Sequence, residues 1–186
     1  MNSEKREKVM IYIDGSNFYF SIKNKFNCSI DIGKFCRKLS EDDHLIKIKY
    51  YIAPVEQFSD PKMYAKQQKF FEILKSIDNF EITFGRLEKR KRKGLVYYVE
   101  KATDINLALD LVLDAQKGYY DRAFIISNDG DFSTAVSSAI HLGKKIIYVA
   151  IGNKKTISYH LKRVATSTLN INKEFIADLI LKNKNH

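Results

Sequence analysis

The sequence predicts an α/β fold with a mostly parallel central sheet flanked by helices. Short β-rich runs alternate along the chain with longer segments of helical periodicity, which is the pattern of a parallel sheet covered by helices. All but one of the eight glycines fall in predicted turns or near the ends of predicted elements. We find no internal repeat and no second domain, so we expect residues 1–186 to form a single domain.

The first half of the chain predicts two strands and two helices. Residues 9–13 form a short apolar run that suits a buried strand, and residues 18–25 continue as a helix. Residues 45–52 alternate apolar side chains with Lys47 and Lys49, which indicates a strand with one wetter face. Pro61 suits the first turn of a helix that runs to about residue 77, with Asp60 as its cap.

The second half continues the alternation of strands and helices. Residues 80–85 and 95–99 predict two strands joined by a basic loop, and residues 104–116 predict a buried apolar helix that ends at Gly118. A strand over 123–127, a helix over 132–142 and a strand over 145–151 follow. We interpret residues 153–186 as a helical extension, with helices over 157–164 and 173–181 and a frayed end from residue 182.

The composition is that of a globular chain. Apolar residues make up 45% and charged residues 29%, and no uncharged apolar run reaches the roughly 18 residues that a bilayer requires. The apolar run at 9–13 is too short for a secretion signal. Cys28 and Cys36 have neither a CxxC spacing nor a pattern of histidine ligands, which indicates reduced thiols. We therefore expect a soluble cytoplasmic protein with no membrane partner.

The basic excess predicts a polyanionic partner. Thirty-two Lys and Arg against twenty-two Asp and Glu give a formal charge of +10, which favours phosphate contacts through counterion release. Charge alone does not separate RNA from DNA. Residues 86–93, RLEKRKRK, are too charged for a packed strand, so we predict an exposed hairpin tip that contacts nucleic acid; a solvated tip is the alternative. The predicted contact residues are Lys89, Arg90, Lys91, Arg92 and Lys93.

Four aspartates stand where predicted strands end or helices begin. Asp14 follows the first strand, and Asp104 opens the apolar helix. Asp129 and Asp131 follow the strand over 123–127, and the carboxyl ends of parallel strands build ligand sites near a switch in strand order. Clustered carboxylates repel one another, so such a cluster normally needs a bound cation. Ligand sets made only of oxygen atoms favour Mg²⁺ or Mn²⁺. Asp110 is expected to face another direction than Asp104.

Each of these residues also has a structural interpretation. Asp is a preferred helix cap and turn residue, so Asp104 and Asp131 could equally be caps. Asp14 is harder to explain in this way, because a carboxylate next to a buried strand needs a partner. Asn17 could orient water or bind the scissile phosphate, or it could cap the following helix, as Ser16 could.

Two further groups of residues have the same ambiguity. Ser127 and Asn128 could position a metal ligand or water, or could shape the turn SNDGD. Phe18, Tyr19 and Phe20 could stack on a base, but their helical spacing makes at least one of them a core residue, for which we favour Phe20.

Three sequence blocks resemble the signature blocks of the NYN domain family, in its LabA-like branch. They are IYIDGSNFYFSI at 11–22, KATDINLALDLV at 101–112 and AFIISNDGDFSTAVSSAIHLGKKIIYVAIG at 123–152. The resemblance implies a PIN-like α/β fold and the metal-dependent ribonuclease activity of characterised members. It implies metal-site carboxylates at Asp14, Asp104, Asp129 and Asp131, with Asn17 beside them.

The leading hypothesis is a ribonuclease that depends on Mg²⁺ or Mn²⁺ and cuts RNA with this aspartate cluster. The first alternative is an NYN module that binds RNA or protein without catalysis. A phosphatase with an aspartate nucleophile ranks third, because the usual DxD pattern is absent where Gly15 and Ser16 follow Asp14. One departure from the family is Ala102, where many members have glycine; it concerns the shape of the loop and removes no ligand.

Overall fold

A computed structural model describes residues 6–41, 43–58, 60–92 and 95–181 of the chain. Six strands form one parallel sheet, and two others form a separate antiparallel ribbon. The strands are β1 (Lys8–Asp14), β2 (His44–Ile52), β3 (Phe80–Phe84), β4 (Arg86–Arg92), β5 (Leu95–Lys101), β6 (Arg122–Ile126), β7 (Lys145–Ala150) and β8 (Ser167–Asn170). The predicted α/β class with a parallel central sheet is confirmed.

Helices flank the sheet and connect its strands. They are α1 (Gly15–Phe26), α2 (Ile32–Ser40), α3 (Pro61–Lys75), α4 (Thr103–Gln116), α5 (Ser133–His141), α6 (Tyr159–Val164) and α7 (Lys173–Ile176), with a short 3-10 helix at Gly130–Phe132. Within the ranges given above, no helix is long and apolar enough to cross a membrane.

The order of strands across the sheet is β3-β2-β1-β6-β7-β8. The chain moves outwards from β1 to β3 in one direction and from β6 to β8 in the other, so the order switches between β1 and β6. Ile13 of β1 pairs with Tyr50 of β2 on one side and with Ile126 of β6 on the other. We call the side on which all six strands end the carboxyl edge. Ligand sites of open α/β sheets lie at this edge, at the switch in strand order.

Alternating side chains of the strands build one hydrophobic core on each face of the sheet. On one face Ile13 packs in a core with Phe18 of α1 and Phe35 of α2. On the other face Tyr12 shares a core with Leu111 of α4. Full burial of one such side chain stabilises the fold by about 1.5–3 kcal/mol. Packing in these two cores positions the helices relative to the sheet.

Single residues mark the helix ends that the sequence predicts correctly. Asp60 caps α3 by accepting the backbone N–H of Met63 at 2.9 Å, and Pro61 is the first residue of the helix. Gly118 follows α4 at a φ of +68, the left-handed conformation that glycine adopts at low cost.

The sequence does not predict α2 or β8. α2 buries Phe35, Cys36 and Leu39, and the Asp31 carboxylate caps it at the N–H of Lys34. β8 has only four residues and adds the sixth strand beside β7. In the expected helical extension, α6 begins at Tyr159 rather than at residue 157, and α7 ends at Ile176 rather than at residue 181.

The core aromatic of α1 is Phe18 and not Phe20, so that prediction was wrong. Phe18 is 4% exposed, whereas Tyr19 and Phe20 are 56% and 60% exposed. Phe18 and Ile22 lie one turn apart on the buried face of the helix. The run of three aromatic residues carries no polar residue to set the phase of the helix, and the phase follows from Ile22 instead.

The prediction of a basic loop was also wrong. Residues Arg86–Arg92 form β4, which pairs along its whole length with β5 in an antiparallel ribbon. The six-stranded sheet does not include this ribbon, so neither face of β4 must be apolar. Charged side chains can therefore project from both faces of a paired strand. Lys93 lies outside the described residues.

Candidate functional site

The first strand ends in a carboxylate that also begins the first helix. Asp14 is the last residue of β1 and the N-cap of α1, and it accepts the N–H of Asn17 at 3.0 Å. A Cβ on the next residue, Gly15, would lie 2.5 Å from Cζ of the buried Tyr50. Only glycine fits this approach of α1 to β2. The close packing holds the Asp14 carboxylate at the carboxyl edge.

A buried serine joins the first strand to the loop after β6. Ser127 is 2% exposed, and its hydroxyl donates to Oδ2 of Asp14 at 2.9 Å. The same hydroxyl oxygen accepts the backbone N–H of Asp129 at 3.1 Å. Asp14 and Asp129 are thus connected through one hydroxyl across the switch in strand order. We call this arrangement the Asp14–Ser127–Asp129 bridge.

The turn after β6 carries two of the predicted carboxylates, Asp129 and Asp131. Asp129 caps the 3-10 helix, because its Oδ1 accepts the N–H of Asp131 at 2.9 Å. Asp131 itself is exposed. A Cβ on Gly130 would lie 3.2 Å from Cδ2 of His160, so the first turn of α6 lies against this turn. His160 has no signal in the sequence, since it is far along the chain from the acidic motif.

Asn128 holds the loop of the site in place through four hydrogen bonds. Its backbone N–H donates to Oδ1 of Asn17 at 3.0 Å. Its side-chain N–H groups donate to Oγ of Ser21 at 3.1 Å and to the carbonyl of Ile151 at 2.8 Å. Its Oδ1 accepts the O–H of Tyr148 at 2.6 Å. Asn17 and Asn128 therefore couple the ends of β1, β6 and β7, which are roles that the sequence left open.

Tyr148 fixes the side chain of Asn128 through a hydrogen bond. Its phenolic oxygen accepts the N–H of Ser158, at the start of α6, at 2.9 Å while its proton is donated to Asn128. Burial raises the pKa of Tyr148, and the hydrogen bond from Ser158 opposes this to a smaller extent. The phenol consequently remains a donor at neutral pH.

Asp104 reaches the carboxyl edge on a different element. Asp110 of α4 contacts Tyr51 near the end of β2, whereas Asp114, one turn later, contacts Tyr12 deeper in the sheet. α4 therefore runs antiparallel to the strands, and Asp104 in its first turn is at the carboxyl edge, with an exposed side chain. It is not the N-cap of α4, because that position is Ala102, which makes no side-chain cap.

The structure links two of the four predicted aspartates through the hydroxyl of Ser127, which contacts the carboxylate of Asp14 and the backbone N–H of Asp129. Asp14 and Asp129 belong to one hydrogen-bonded unit, with Asn17 attached to it. In the part of the chain that the structure describes, no three Asp, Glu, His or Cys side chains form a group that could hold a metal ion. A shared metal site for Asp14, Asp104, Asp129 and Asp131 stays a prediction.

Comparison with known proteins agrees with the three sequence blocks. The profile of the NYN domain family matches residues 8–172. The chain belongs to the NYN domain family. This family is of the PIN-like nuclease type, so the predicted resemblance to NYN domains is confirmed at the level of the family. The match reaches β8, beyond the region that contains the motifs.

Other comparisons place the NYN domain among solved structures. The chain is similar to a protein of unknown function, VPA0982, from Vibrio parahaemolyticus RIMD 2210633, with 25% identity and a TM-score of 0.72. The similarity covers 97% of this chain and 100% of that chain. No curated protein shows significant similarity to the chain.

The NYN domain also contains a charged network between α4 and the sheet, which the sequence does not predict. Lys49 Nζ lies 2.7 Å from Oδ2 of Asp114 and 3.1 Å from Oδ2 of Asp110. Tyr12 donates its O–H to Asp114 at 2.8 Å, and Tyr51 donates to Asp110 at 2.7 Å. Lys49 is 8% exposed, so its predicted place on a wetter face of β2 was wrong. Asp114 is 5% exposed, and a carboxylate buried to this extent requires such partners. The prediction that α4 is buried was wrong for one face of the helix, because Ile105, Leu109 and Leu113 are exposed.

The network has a defined protonation state. Burial and the Asp114 carboxylate raise the pKa of Tyr12, and burial and Asp110 raise that of Tyr51. Burial alone would lower the pKa of Lys49, but the hydrogen bonds and charges of Asp114 and Asp110 outweigh it, and the net shift is upward. Lys49 is therefore charged and both phenols are neutral at physiological pH. The network ties α4 to β1 and β2.

The ribbon of β4 and β5 begins and ends at the carboxyl edge. β4 follows β3 after Gly85, whose N–H donates to the carbonyl of Ile52, and β5 leads directly into α4. Lys89, Arg90 and Lys91 are exposed, and Arg90 pairs with Glu88 at 3.2 Å. These basic side chains therefore lie on the ribbon that connects β3 with α4.

Proposed function

We propose that this NYN domain is a ribonuclease of the LabA-like branch that requires Mg²⁺ or Mn²⁺. The observation that carries the proposal is the Asp14–Ser127–Asp129 bridge, which lies at the switch in strand order of a nuclease-type fold. Two aspartates held together in this way at the carboxyl ends of adjacent strands are a suitable base for a metal site that acts on a phosphate.

The donor set fits a hard divalent cation. Magnesium is usually held by one or two carboxylates, by waters and by phosphate oxygens of the substrate. Asp14 and Asp129 supply two carboxylates, and Asp104 and Asp131 are candidates to complete the set. A divalent cation there would supply Lewis-acid chemistry, offsetting the negative charge that develops on the phosphate.

The other polar residues of the site orient its carboxylates. Ser127 donates to Asp14, so that one oxygen of Asp14 is fixed by the hydroxyl and the other by the N–H of Asn17. Asn128 holds Asn17 and is held in turn by Tyr148. These contacts limit the rotation of the Asp14 carboxylate and fix the loop that carries Asp129, and preorganisation of this kind favours catalysis. We propose that Asn17 also contacts the scissile phosphate.

RNA is the proposed substrate, and DNA of the same sequence is the comparison in the cleavage assay. The formal charge of +10 favours a polyanion, and the exposed Lys89, Arg90 and Lys91 are proposed to hold its backbone. We place the activity in the cytoplasm, since Cys28 and Cys36 are free thiols, as a reducing compartment requires.

The test is cleavage of labelled single-stranded RNA with Mg²⁺ or Mn²⁺, with and without a chelator. Asp129→Asn should lower the cleavage rate by more than the roughly 10–100-fold that changes around a metal site cost. Asp14→Asn should do the same and leave RNA affinity intact or improved. Asparagine caps a helix as well as aspartate does, so stability should change little.

The matched control is Asp78→Asn, an exposed aspartate in the turn before β3, at the opposite edge of the sheet. This variant should cut RNA at the wild-type rate. Full metal-dependent activity in both Asp14→Asn and Asp129→Asn would reject the proposed site.

A second candidate function is a module that binds RNA or protein without catalysis. The observation in its favour is that, among the described residues, no three potential ligands form a metal-binding group. This alternative predicts RNA affinity that chelator does not change, and no cleavage with either metal.

A further inference from the structure

A cavity lies beside the proposed catalytic site, and none of the residues of that site lines it. Its volume is about 450 Å³, within the range of roughly 300–1,000 Å³ found for small-molecule sites. The loop after β2 forms one wall, the first turns of α3 form a second, and the junction of β3 and β4 forms a third. All three walls belong to the carboxyl edge.

The position of the cavity follows from the register of the sheet. Asp14 pairs with Tyr51 of β2, and Tyr51 pairs with Thr83 of β3, so these residues form one row. Neighbouring strands lie ~4.8 Å apart, which places the end of β3 about 10 Å from Asp14. Phe84, which lines the cavity, is the next residue along β3. A strand of RNA at Asp14 therefore has a neighbouring nucleotide within reach of the cavity.

The lining has the chemistry of a site for a nucleobase. Tyr64 and Phe84 supply aromatic rings, and Gln57 and Gln68 supply amides that can both donate and accept hydrogen bonds. Among the described residues of the lining, Arg86 is the one cation and Glu56 the one anion, so these residues supply no excess charge to hold a phosphate. Proteins recognise unpaired RNA bases through aromatic stacking and hydrogen bonds to the base edges.

The walls are held in position by contacts within the chain. The N–H of Val55 donates to Oε1 of Gln67 at 2.7 Å, which attaches the loop after β2 to α3. The ring of Phe84 packs edge-on against the buried Phe71, with centroids 5.1 Å apart. The walls therefore do not depend on a ligand. Arg86 begins β4, so RNA that follows the basic ribbon towards Asp14 passes the cavity.

We propose that this cavity binds one unpaired nucleobase of the RNA, next to the nucleotide at the aspartates. The choice of RNA as ligand rests on the proposed function, whereas the affinity for a base rests on the cavity itself. A base must leave a duplex to enter the cavity, so the substrate class is single-stranded RNA.

The test is a titration of ¹⁵N-labelled protein, without metal, with three probes: a nucleoside, its 5′-monophosphate and ribose 5-phosphate. The nucleoside and the monophosphate should shift the NMR signals of Val55, Gly85 and the side-chain amide of Gln68. Ribose 5-phosphate, which has no base, should not. Perturbation by ribose 5-phosphate alone, or no perturbation at the cavity by any probe, overturns the proposal.

Two variants give the second measurement. Tyr64→Leu combined with Gln68→Leu removes a ring and an amide from the cavity, and Tyr119→Leu combined with Gln116→Leu makes the same change at exposed positions of the opposite edge. The cavity variant should bind single-stranded RNA roughly 5- to 150-fold more weakly, as the loss of one stacked base predicts, with the salt dependence unchanged. Its affinity for duplex RNA and the affinities of the control variant should stay at wild-type values.

Equal loss of affinity for single-stranded and duplex RNA, or none for either, overturns the proposal. The metal-free design separates this result from the proposed catalysis. Base binding without any cleavage would retain the cavity proposal and reject the nuclease. Cleavage without perturbation at the cavity would do the reverse. Thermal unfolding of both variants shows whether each is folded, and the nucleoside titration of the wild type decides the proposal if the cavity variant is not.

Discussion

Ala102 adopts a backbone conformation that its side chain disfavours. It is the N-cap of α4, with a φ of 72, in the left-handed region. A non-glycine residue in this region costs roughly 1–2 kcal/mol. No capping hydrogen bond offsets this cost, because alanine has no side-chain acceptor for the N–H groups of the first turn. The glycine that many NYN domains have at this position therefore has a physical reason.

Ala102→Gly should raise the free energy of unfolding. Relief of the strained φ outweighs the extra entropy of glycine in the unfolded chain, about 0.4–1 kcal/mol, so we expect a net gain of up to about 1 kcal/mol. Urea unfolding with an unchanged m-value measures it. The control is Ala165→Gly at an ordinary φ of −63, which should lower stability. A loss of stability in Ala102→Gly would contradict the assigned conformation.

In the proposed function, the ribbon of β4 and β5 is the element that provides the electrostatic part of RNA binding. Lys89 and Lys91 project from one face of β4, and Arg90 projects from the other, because neighbouring side chains of a strand alternate. Tyr98 is paired with Lys89 across the ribbon and is 38% exposed. A phosphate backbone can therefore contact basic groups on either face.

Neutralising the ribbon should weaken RNA binding without regard to sequence. In the triple variant Lys89→Gln, Arg90→Gln, Lys91→Gln, each lost phosphate contact lowers the salt slope by about 0.7, so the slope should fall by up to ~2. The cleavage rate at saturating RNA should stay at the wild-type value. A salt titration of affinity measures the slope, with unrelated RNA sequences compared at one salt concentration.

The control for the ribbon is a triple Lys→Gln variant with the same charge change at the opposite edge of the sheet. Its positions are Lys75, Lys117 and Lys144. Lys75 is the last residue of α3, Lys117 directly follows α4, and Lys144 lies three residues after α5. This variant should keep the wild-type slope. An unchanged slope in the ribbon variant would remove the ribbon from the RNA site and leave the proposal for the aspartates intact.

Local signals predict the elements whose ends are marked by one or two residues. Asp60 and Pro61 place the start of α3, and Gly118 places the end of α4. α2 has no proline or flanking glycine of this kind, and β8 is too short to show an alternation. β4 contradicts the usual pattern of strands, because a two-stranded ribbon has no face that must be buried.

The candidate site was predictable only in part. Asp14 and Asp129 can be found because each follows a recognisable strand, and a parallel sheet brings strand ends together. The bond from Ser127 to Asp14 spans 113 positions, and that from Lys49 to Asp114 spans 65. No local pattern contains contacts of this range. The prediction that Lys49 is solvent-exposed was wrong because its partner, Asp114, is distant in the sequence.

At the scale of the whole molecule, the network around Lys49 links stability to alkaline pH. The pKa values of Tyr12, Tyr51 and Lys49 are all raised in the folded state. The unfolded chain releases these protons near pH 10, whereas the folded chain retains them to higher pH. Groups of this kind contribute their full stability below the unfolded pKa and lose it as the pH rises towards the folded pKa.

The free energy of unfolding should therefore fall as the pH rises above about 10. Tyr12→Phe combined with Tyr51→Phe removes two of the groups, so its stability should fall less steeply, by about 1.4 kcal/mol per pH unit for each phenol. Urea unfolding between about pH 8 and pH 11 measures both slopes. Equal slopes in wild type and variant would show that the phenols do not retain their protons in the folded state.

The ribbon is inserted between β3 and α4 without sharing a ladder of hydrogen bonds with the six-stranded sheet. Its first and last residues, Arg86 and Lys101, are partners of each other, so the chain leaves and re-enters the domain at one point. Doubling the length of such an excursion costs only about 0.6 kcal/mol in closure entropy. The ribbon can consequently be lengthened, shortened or exchanged while the register of the sheet is kept. Under the proposed function, exchanging the ribbon changes the contacts with RNA and leaves the positions of the aspartates unchanged.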